Sequence, residues 1–101
     1  MVGGALATVA GAGGRGRFNG DGILATTATL TRPAGISGDR QGNLFLVDDT
    51  RIRRIDRAGI ITTLAGPDAP WKIPQGLQLD PRGDLVVFDP ASNQVFRISN
   101  F

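Results

Sequence analysis

The sequence contains no cysteine, histidine or glutamate, and Lys72 is its only lysine. Without cysteine, neither disulfide bonds nor thiol chemistry can stabilise the chain or act in it. Without histidine, Ser/His/Asp and Cys/His catalysis and histidine metal sites are excluded within the chain. Catalysis by paired aspartates would need residues from more than one chain. We therefore predict a protein that is not an enzyme and that uses no cofactor and no metal.

Long hydrophobic runs are also absent, and so is a large excess of one charge. No apolar run approaches the roughly 18 residues needed to span a membrane, so we predict no membrane partner. The N-terminal residues resemble a secretory signal only in their small side chains, because a basic start is missing and glycines interrupt the run. The net charge is +2, and most of the basic residues are arginine. The pI near 10.4 reflects this arginine content and is weak evidence for a nucleic-acid partner.

What is present fits one small all-β domain. The chain has 101 residues, of which 41% are hydrophobic, and its 15 glycines are about twice the average share. Short apolar runs are separated by Gly, Pro and Asp at intervals of about ten residues, a pattern typical of antiparallel strands joined by tight turns. The clearest unit has four predicted strands, named a, b, c and d, at 34–38, 44–47, 51–55 and 60–65.

This unit recurs along the chain. Six residues reappear 41 positions later, namely Pro33, Gly35, Asp39, Gly42, Leu44 and Asp48 as Pro74, Gly76, Asp80, Gly83, Leu85 and Asp89. Ile52 and Ile55 reappear 43 positions later as Val95 and Ile98, and segment 4–11 matches segment 59–66. The strand order is therefore d, a-b-c-d, a-b-c. We predict a single module over 1–101, with a d strand at 5–10, a complete unit at 34–66 and strands a to c of a second unit at 75–99.

Strand b indicates how the sheets pack. Segments 44–47 and 85–88 are apolar on both faces, so both sides of each sheet must be covered. Sheets stacked radially satisfy this requirement, whereas a two-layer sandwich would leave one face wet. The first d strand and the last c strand each lack a partner, which is an aggregation liability unless another chain completes the sheet. We therefore predict closure between chains through Leu6, Thr8, Val9, Val95, Phe96 and Ile98.

Four motifs together resemble the NHL-repeat β-propellers. They are Pro33-x-Gly-Ile, Asp39-x-x-Gly-Asn-Leu-Phe-Leu-Val-Asp48, Arg51-Ile-Arg-Arg-Ile-Asp56 and Ile61-Thr-Thr-Leu-Ala-Gly66. The resemblance covers nearly all the chain and implies that each four-stranded unit is a propeller blade. NHL propellers most often have six blades, so the resemblance suggests that three two-blade chains close a homotrimeric ring. The first b–c turn is two residues shorter than the family pattern, and the second lacks the usual Arg.

Two glycine-containing loops are candidate ligand sites. Segment 11–17 superficially resembles a phosphate-binding loop, but it lacks a Gly-Lys-Ser/Thr ending and no predicted helix follows it. Asn19-Gly-Asp21-Gly22 could offer oxygens to Ca²⁺, but one carboxylate falls short of the six to eight oxygens that this ion requires. A flexible connection and a turn stabilised by side chains are the favoured interpretations.

The charged residues of the strands leave further alternatives open. Asp48, Asp49 and Asp89 could surround a cation at the centre of a ring, or could cap turns by accepting hydrogen bonds from backbone N–H groups, which we favour. Five arginines could bind RNA phosphates or form ion pairs between blades, and the interleaved Ile52 and Ile55 favour ion pairs. These arginines are Arg51, Arg53, Arg54, Arg57 and Arg97.

Trp71 aligns with Leu30 and is predicted to lie in the core, although Trp71 and Lys72 could also border a ligand pocket.

The sequence therefore predicts a non-enzymatic NHL-like module that assembles with copies of itself into a binding or structural scaffold. A fragment or engineered minimal unit of a larger propeller enzyme or sensor is one alternative, and an RNA-binding propeller is another. The connections between strands are expected to form the partner or ligand face. The candidate residues of that face are Arg15, Arg17, Asp21, Asp49, Arg51, Trp71, Lys72 and Asn93.

Overall fold

The computed structural model describes residues 4–14 and 16–101 and contains two antiparallel sheets. The strands are β1 (Ile23–Leu24), β2 (Pro33–Gly38), β3 (Leu44–Asp48), β4 (Arg51–Ile55), β5 (Ile60–Ala65), β6 (Gly76–Leu79), β7 (Leu85–Asp89) and β8 (Gln94–Ile98). A 3₁₀ helix over Ala25–Thr27 follows β1. In the part of the chain that the structure describes, no helix is long and apolar enough to cross a membrane.

The first sheet has the order β1-β5-β4-β3-β2 and the second has the order β6-β7-β8. The predicted all-β class with antiparallel sheets is confirmed. Predicted strands a to d of the first unit correspond to β2 to β5, and strands a to c of the second correspond to β6 to β8. The bounds of β4 and β5 are as predicted, and β2 and β3 are each one residue longer.

One strand was not predicted. β1 lies within a stretch expected to be a long loop, and it pairs with β5 through Ile23 opposite Ile61. Backbone hydrogen bonds on both sides of β1 fix it, because the Gly22 N–H donates to the Ile61 carbonyl and the Ala25 N–H to the Gly59 carbonyl. The outer edge of β5 would otherwise present unpaired backbone groups. The connection before β2 therefore covers the start of β5 at the outer edge of the first sheet.

The second sheet has no such cover on its last strand. Within residues 4–14 and 16–101, β8 lies at the sheet edge and pairs only with β7. Segment 5–10, predicted as a d strand, forms no strand within this chain, and residues 4–9 are exposed. The strand equivalent to β4 is β8, and segment 5–10 is not paired with it in this chain. Its pairing with another copy therefore stays a prediction.

Three hairpins share one turn design. Asp39, Asp56 and Asp80 each begin a turn in which the carboxylate accepts hydrogen bonds from the N–H groups two and four residues later, at 2.9–3.0 Å. The third residue after each aspartate is a glycine with φ between 84° and 89°. Only glycine adopts this left-handed conformation without steric cost. The same local chemistry therefore fixes the register of all three hairpins.

The core has two layers, one on each face of the first sheet. Between the sheets, Phe45, Val47 and Ile52 pack with Leu85 and Val87 of the second sheet. On the opposite face, a second cluster contains Leu46, Ile55 and Ile61 covered by Ala25 and Ala28. β3 is thus buried on both faces, as its continuous apolar sequence predicted. Each such fully buried side chain is worth roughly 1.5–3 kcal/mol.

Candidate partner-binding surface

The turns after β3 and β7 and the long connections before β2 and β6 meet at one end of the two sheets. We call this end the connection face, and its side chains include Arg17, Phe18, Asp21, Asp49, Arg51, Lys72 and Asn93. Antiparallel pairing of β2 with β3 and of β6 with β7 brings these segments together.

Two aspartates hold the connections in place. Asp48 at the end of β3 accepts hydrogen bonds from the backbone N–H groups of Thr31 at 3.1 Å and Arg32 at 2.6 Å. Asp89 at the end of β7 accepts the equivalent bonds from Lys72 at 2.7 Å and Ile73 at 3.1 Å. Both carboxylates are buried. Both carboxylates accept hydrogen bonds from backbone N–H groups, as the favoured interpretation expected, but these N–H groups lie in the connections rather than in the tight turns.

The turn after β7 also donates to the Asp89 carboxylate. The Ser92 hydroxyl donates to it at 2.7 Å. Burial opposes ionisation of Asp89, but the hydrogen bonds from Ser92 and from the backbone N–H groups of Lys72 and Ile73 outweigh burial and hold its pKa below the usual 3.8. The carboxylate is therefore charged at neutral pH and occupied by donors within its own chain.

The buried guanidinium of Arg53 holds in place the long connection before β2, which we call the first connection. Arg53 in β4 is fully buried and donates from Nη2 to the Gly20 carbonyl at 2.9 Å and to Asp21 at 3.3 Å. The same Asp21 oxygen accepts the Thr63 hydroxyl at 2.8 Å. Burial lowers the pKa of Arg53, and the nearby charge of Asp21 opposes that shift. Asp21 is therefore part of an ion pair that fixes its loop, rather than a carboxylate exposed alone for Ca²⁺.

The half-buried Phe18 ring packs against the guanidinium groups of Arg51 and Arg53. The Arg51 guanidinium lies 3.8 Å from the centroid of the Phe18 ring, and that of Arg53 lies 4.8 Å from it. Both distances are within the range of a cation–π interaction. Sequence reasoning missed Phe18 and the burial of Arg53. The repeat carried a signal for Arg53, because its counterpart in the second unit is the apolar Phe96.

The other predicted face residues occupy different environments. Trp71 lies in the core between the sheets, where its indole N–H donates to the Thr50 carbonyl at 2.8 Å and its ring meets Phe96 edge to face. Lys72 and Asn93 are exposed, and Asp49 is half-buried. Arg17 is exposed. Arg15 lies outside the described residues.

The five arginines considered for RNA binding do not share one surface. Arg53 faces the first connection, whereas its neighbour Arg54 lies on the opposite face of β4 and donates to the Asn43 side chain at 3.2 and 3.3 Å. Arg97 is exposed on β8 and lies 3.5 Å from Asp80. The structure therefore divides this cluster among separate local contacts.

At the opposite end of the sheets, a polar cleft of about 890 Å³ separates the turns that begin at Asp39 and Asp80. Arg54, Arg82 and Phe101 contribute to its walls, and it carries both signs of charge. Across residues 4–14 and 16–101, no group of three or more acidic, histidine or cysteine side chains is placed to hold a metal ion.

Comparison with known proteins identifies the family. The family model for the Teneurin NHL domain matches residues 10–82. The chain belongs to the teneurin NHL domain family. Mouse Teneurin-4 is 39% identical over 92 residues, covering 80% of this chain and 3% of that protein. Human Teneurin-4 is 60% identical over 47 residues, covering 46% and 2%. Teneurin-1 of Caenorhabditis elegans is 36% identical over 97 residues, covering 78% and 4%.

The chain is thus similar to a small part of much longer relatives, and the NHL resemblance drawn from the motifs is confirmed. A solved structure of a Bacteroides thetaiotaomicron protein of unknown function matches with a TM-score of 0.70 and 22% identity, covering 79% of this chain and 24% of that one. At this identity the likeness shows the fold alone. The residues matched by the family model include β1 to β6, among them β3 and β4, which carry Asp48 and Arg53.

Proposed function

We propose that this teneurin NHL chain is a non-enzymatic binding or structural module that assembles with copies of itself into a closed ring. β2 to β5 form one complete blade and β6 to β8 form three strands of a second. Three chains would give a six-bladed ring, in which segment 5–10 of each chain completes the second blade of its neighbour. Identical contacts that close on themselves avoid open polymers.

The open edge of β8 carries this proposal. In the first blade, β4 pairs with β5, whereas no other described segment of the chain pairs with the outer side of the equivalent strand β8. The register of β4 and β5, applied to their counterparts, would put Ala10 opposite Val95, Thr8 opposite Phe96 and Leu6 opposite Ile98. The backbone pairs of the first blade thus support segment 5–10 of a second copy as the partner of the open edge.

The side chains of segment 5–10 support the same pairing. Leu6 is 93% exposed and Val9 is 57% exposed in the single chain, whereas Ile61, the counterpart of Leu6, is fully buried. Transfer of such side chains out of water is favourable by roughly 25 cal/mol per Å². Pairing with β8 of a second copy would bury this apolar surface.

The connection face is the surface we assign to partners outside the ring. The first connection is longer than the second, so a trimer would present the face with threefold symmetry. Exposed Arg17, Lys72 and Asn93 lie on this face, and Arg51 and Phe18 form its half-buried centre. A mixed polar and aromatic surface of this kind suits a protein or polar ligand.

The test is the solution mass of the chain, measured by light scattering on a size-exclusion peak over a range of concentrations. We expect three times the 10.6 kDa of one chain, without monomer on dilution. Leu6→Asp places a charge where pairing would bury an apolar side chain, so this variant should be a folded monomer. Ala12→Asp alters an exposed residue outside the proposed pairing and should keep the wild-type mass.

A folded wild-type monomer would overturn the proposed self-assembly. That result would favour the alternative that further blades of a longer protein complete the open edge. The match to only about 3% of the length of mouse Teneurin-4 is compatible with this alternative. Salt-dependent binding to a random RNA oligonucleotide would instead support the RNA-binding alternative.

A further inference from the structure

The first connection contains the one Asn-Gly sequence of the chain, Asn19-Gly20. The other three asparagines, Asn43, Asn93 and Asn100, precede leucine, glutamine and phenylalanine. The backbone nitrogen of the residue after an asparagine can attack the side-chain amide carbon, and a side chain on that residue hinders the attack. Glycine has no side chain. Asn19 is therefore the asparagine of this chain whose amide is lost most readily.

The surroundings of Asn19 leave it accessible to this reaction. Its side chain is exposed, and residues 17–20 belong to no helix or strand. Gly20 has φ of 126°, and a Cβ atom built on it would meet nothing within 4 Å. Solvent and base can therefore reach this peptide bond when the local backbone moves.

Two hydrogen bonds oppose the reaction in the folded chain. The Asn19 Nδ2 donates to the Thr27 carbonyl at 3.0 Å, and its Oδ1 accepts the Thr29 N–H at 2.8 Å. The side chain must turn back toward its own backbone before the Gly20 nitrogen can reach the amide carbon. Both bonds to segment 27–29 must break for that rotation.

The buried arginine of β4 fixes the next peptide unit as well. The Gly20 carbonyl accepts Arg53 Nη2 at 2.9 Å, and the neighbouring Asp21 pairs with the same nitrogen at 3.3 Å. Movement of Asn19 and Gly20 therefore works against an ion pair as well as against the bonds of the amide. The folded first connection protects Asn19.

We propose that Asn19 is a deamidation site whose reaction is controlled by opening of the first connection. The Gly20 nitrogen loses its proton to solvent base and bonds to the Asn19 Cγ, the Cγ–Nδ2 bond breaks, and ammonia leaves. Water then opens the resulting cyclic imide at either carbonyl and gives aspartate or isoaspartate. Water is the only co-reactant, and the reaction takes place within one chain, independently of the proposed ring.

The product cannot restore the original contacts. Either product has a carboxylate in place of the amide, so the Thr27 carbonyl loses its donor and faces a negatively charged oxygen. Isoaspartate also lengthens the backbone by one carbon before Gly20. Both changes separate the Gly20 carbonyl from Arg53, whose Nε and Nη1 already have no hydrogen-bond partner among the described residues. A buried charge that loses partners is costly, so the deamidated connection stays open.

Peptide mapping by mass spectrometry measures the reaction. The full chain is incubated at mildly alkaline pH, either folded or in guanidinium chloride, and is then digested with trypsin. The tryptic peptide 18–40 contains Asn19 as its only asparagine. We expect conversion of its amide to an acid, slower in the folded chain by about tenfold or more, because opening must break hydrogen bonds. The peptides with Asn43, Asn93 and Asn100 are internal controls and should keep their amides.

A pair of variants tests the control by the connection. Asp21→Ala removes the partner of Arg53 and should raise the rate in the folded chain several-fold. Asp68→Ala removes the same charge from an exposed loop and should leave the rate unchanged. Equal rates for the folded and unfolded wild-type chain would overturn this control, whether or not Asp21→Ala folds. Loss of the Asn19 amide no faster than that of the other asparagines would overturn the site itself.

Limited digestion with trypsin tests the consequence. Proteases cut segments that open locally, so cleavage after the exposed Arg17 reports opening of the first connection. Deamidated wild-type chain and Asn19→Asp should be cut there several-fold faster than fresh wild-type chain. Ala12→Asp adds a carboxylate to an exposed position of the same connection and should be cut at the wild-type rate. Equal cleavage of fresh and deamidated chains would show that the connection closes again and would overturn the proposed opening.

Discussion

At the scale of single residues, two buried aspartates hold the connections before β2 and β6 in place. Asp48 and Asp89 end the equivalent strands β3 and β7. The carboxylate of Asp48 accepts hydrogen bonds from two backbone N–H groups of the connection before β2, and that of Asp89 from two in the connection before β6. An acceptor that serves two N–H groups in a buried place replaces the water those groups would otherwise need. These residues therefore determine the shape of the connection face without being part of its exposed surface.

Replacing Asp48 should loosen the first connection. Asp48→Ala leaves the Thr31 and Arg32 N–H groups without their acceptor, and we expect a loss of about 1–3 kcal/mol in the free energy of unfolding. Urea unfolding followed by tryptophan fluorescence measures this loss. Asp68→Ala removes the same charge from an exposed loop and should change the stability little. Similar losses for the two variants would contradict the assigned role of Asp48.

The turn aspartates predict how stability depends on pH. Burial opposes ionisation of Asp39, but hydrogen bonds from Asn43 and Gln41 and the charge of Arg54 outweigh it, so its pKa lies below the usual 3.8. The pKa of Asp80 is lowered in the same way, since bonds from Asp84 and Arg82 and the charge of Arg97 outweigh burial.

A lowered pKa in the folded state means that the unfolded chain binds more protons in acid. The contribution of Asp39 is therefore complete above its unfolded pKa and is lost as the pH falls through the folded value. We expect the urea midpoint to fall steeply below about pH 4. Asp39→Asn keeps an acceptor oxygen but removes the titration, so its midpoint should fall less over the same range. A parallel fall in both proteins would exclude Asp39 as a source of the acid sensitivity.

At the scale of elements, the sequence predicted well what local chemistry determines. The Asp-x-x-Gly turns and the 41-residue repeat placed β2 to β8 to within about one residue. β1 was missed because a two-residue strand has no periodic pattern and forms only where β5 offers an edge. The burial of Arg53 was missed because a basic residue in a strand is ordinarily exposed. Its environment depends on Phe18 and Gly20, residues more than 30 positions away.

The shared turn design can be tested at Gly83. This residue has φ of 86°, and a Cβ atom there would meet nothing within 4 Å. The cost of Gly83→Ala is therefore conformational, and we expect about 1–2 kcal/mol of destabilisation. Gly83→Asn should cost less, because asparagine tolerates the left-handed region. Equal losses in urea unfolding for the two variants would show that the backbone conformation is not what requires glycine.

At the scale of the whole molecule, the two sheets differ at their edges. Among the described residues, β1 covers the start of β5 in the first sheet, whereas β8 of the second sheet pairs on one side only. The strands of both sheets were predictable from the repeat, whereas the contacts between the two sheets depend on packing that no local pattern encodes.

If segment 5–10 of one copy pairs with β8 of another, the thermal stability of the chain must depend on protein concentration. Association that occurs only in the folded state stabilises by mass action, and each tenfold rise in concentration is worth about 1.4 kcal/mol per association step. Since 1 kcal/mol shifts the Tm of a domain of this size by roughly 4–8 °C, we expect calorimetry to find a Tm several degrees higher at tenfold higher concentration. Leu6→Asp should abolish this dependence, and Ala12→Asp should retain it. A concentration-independent Tm in the wild-type chain would mean that folding is complete within one copy.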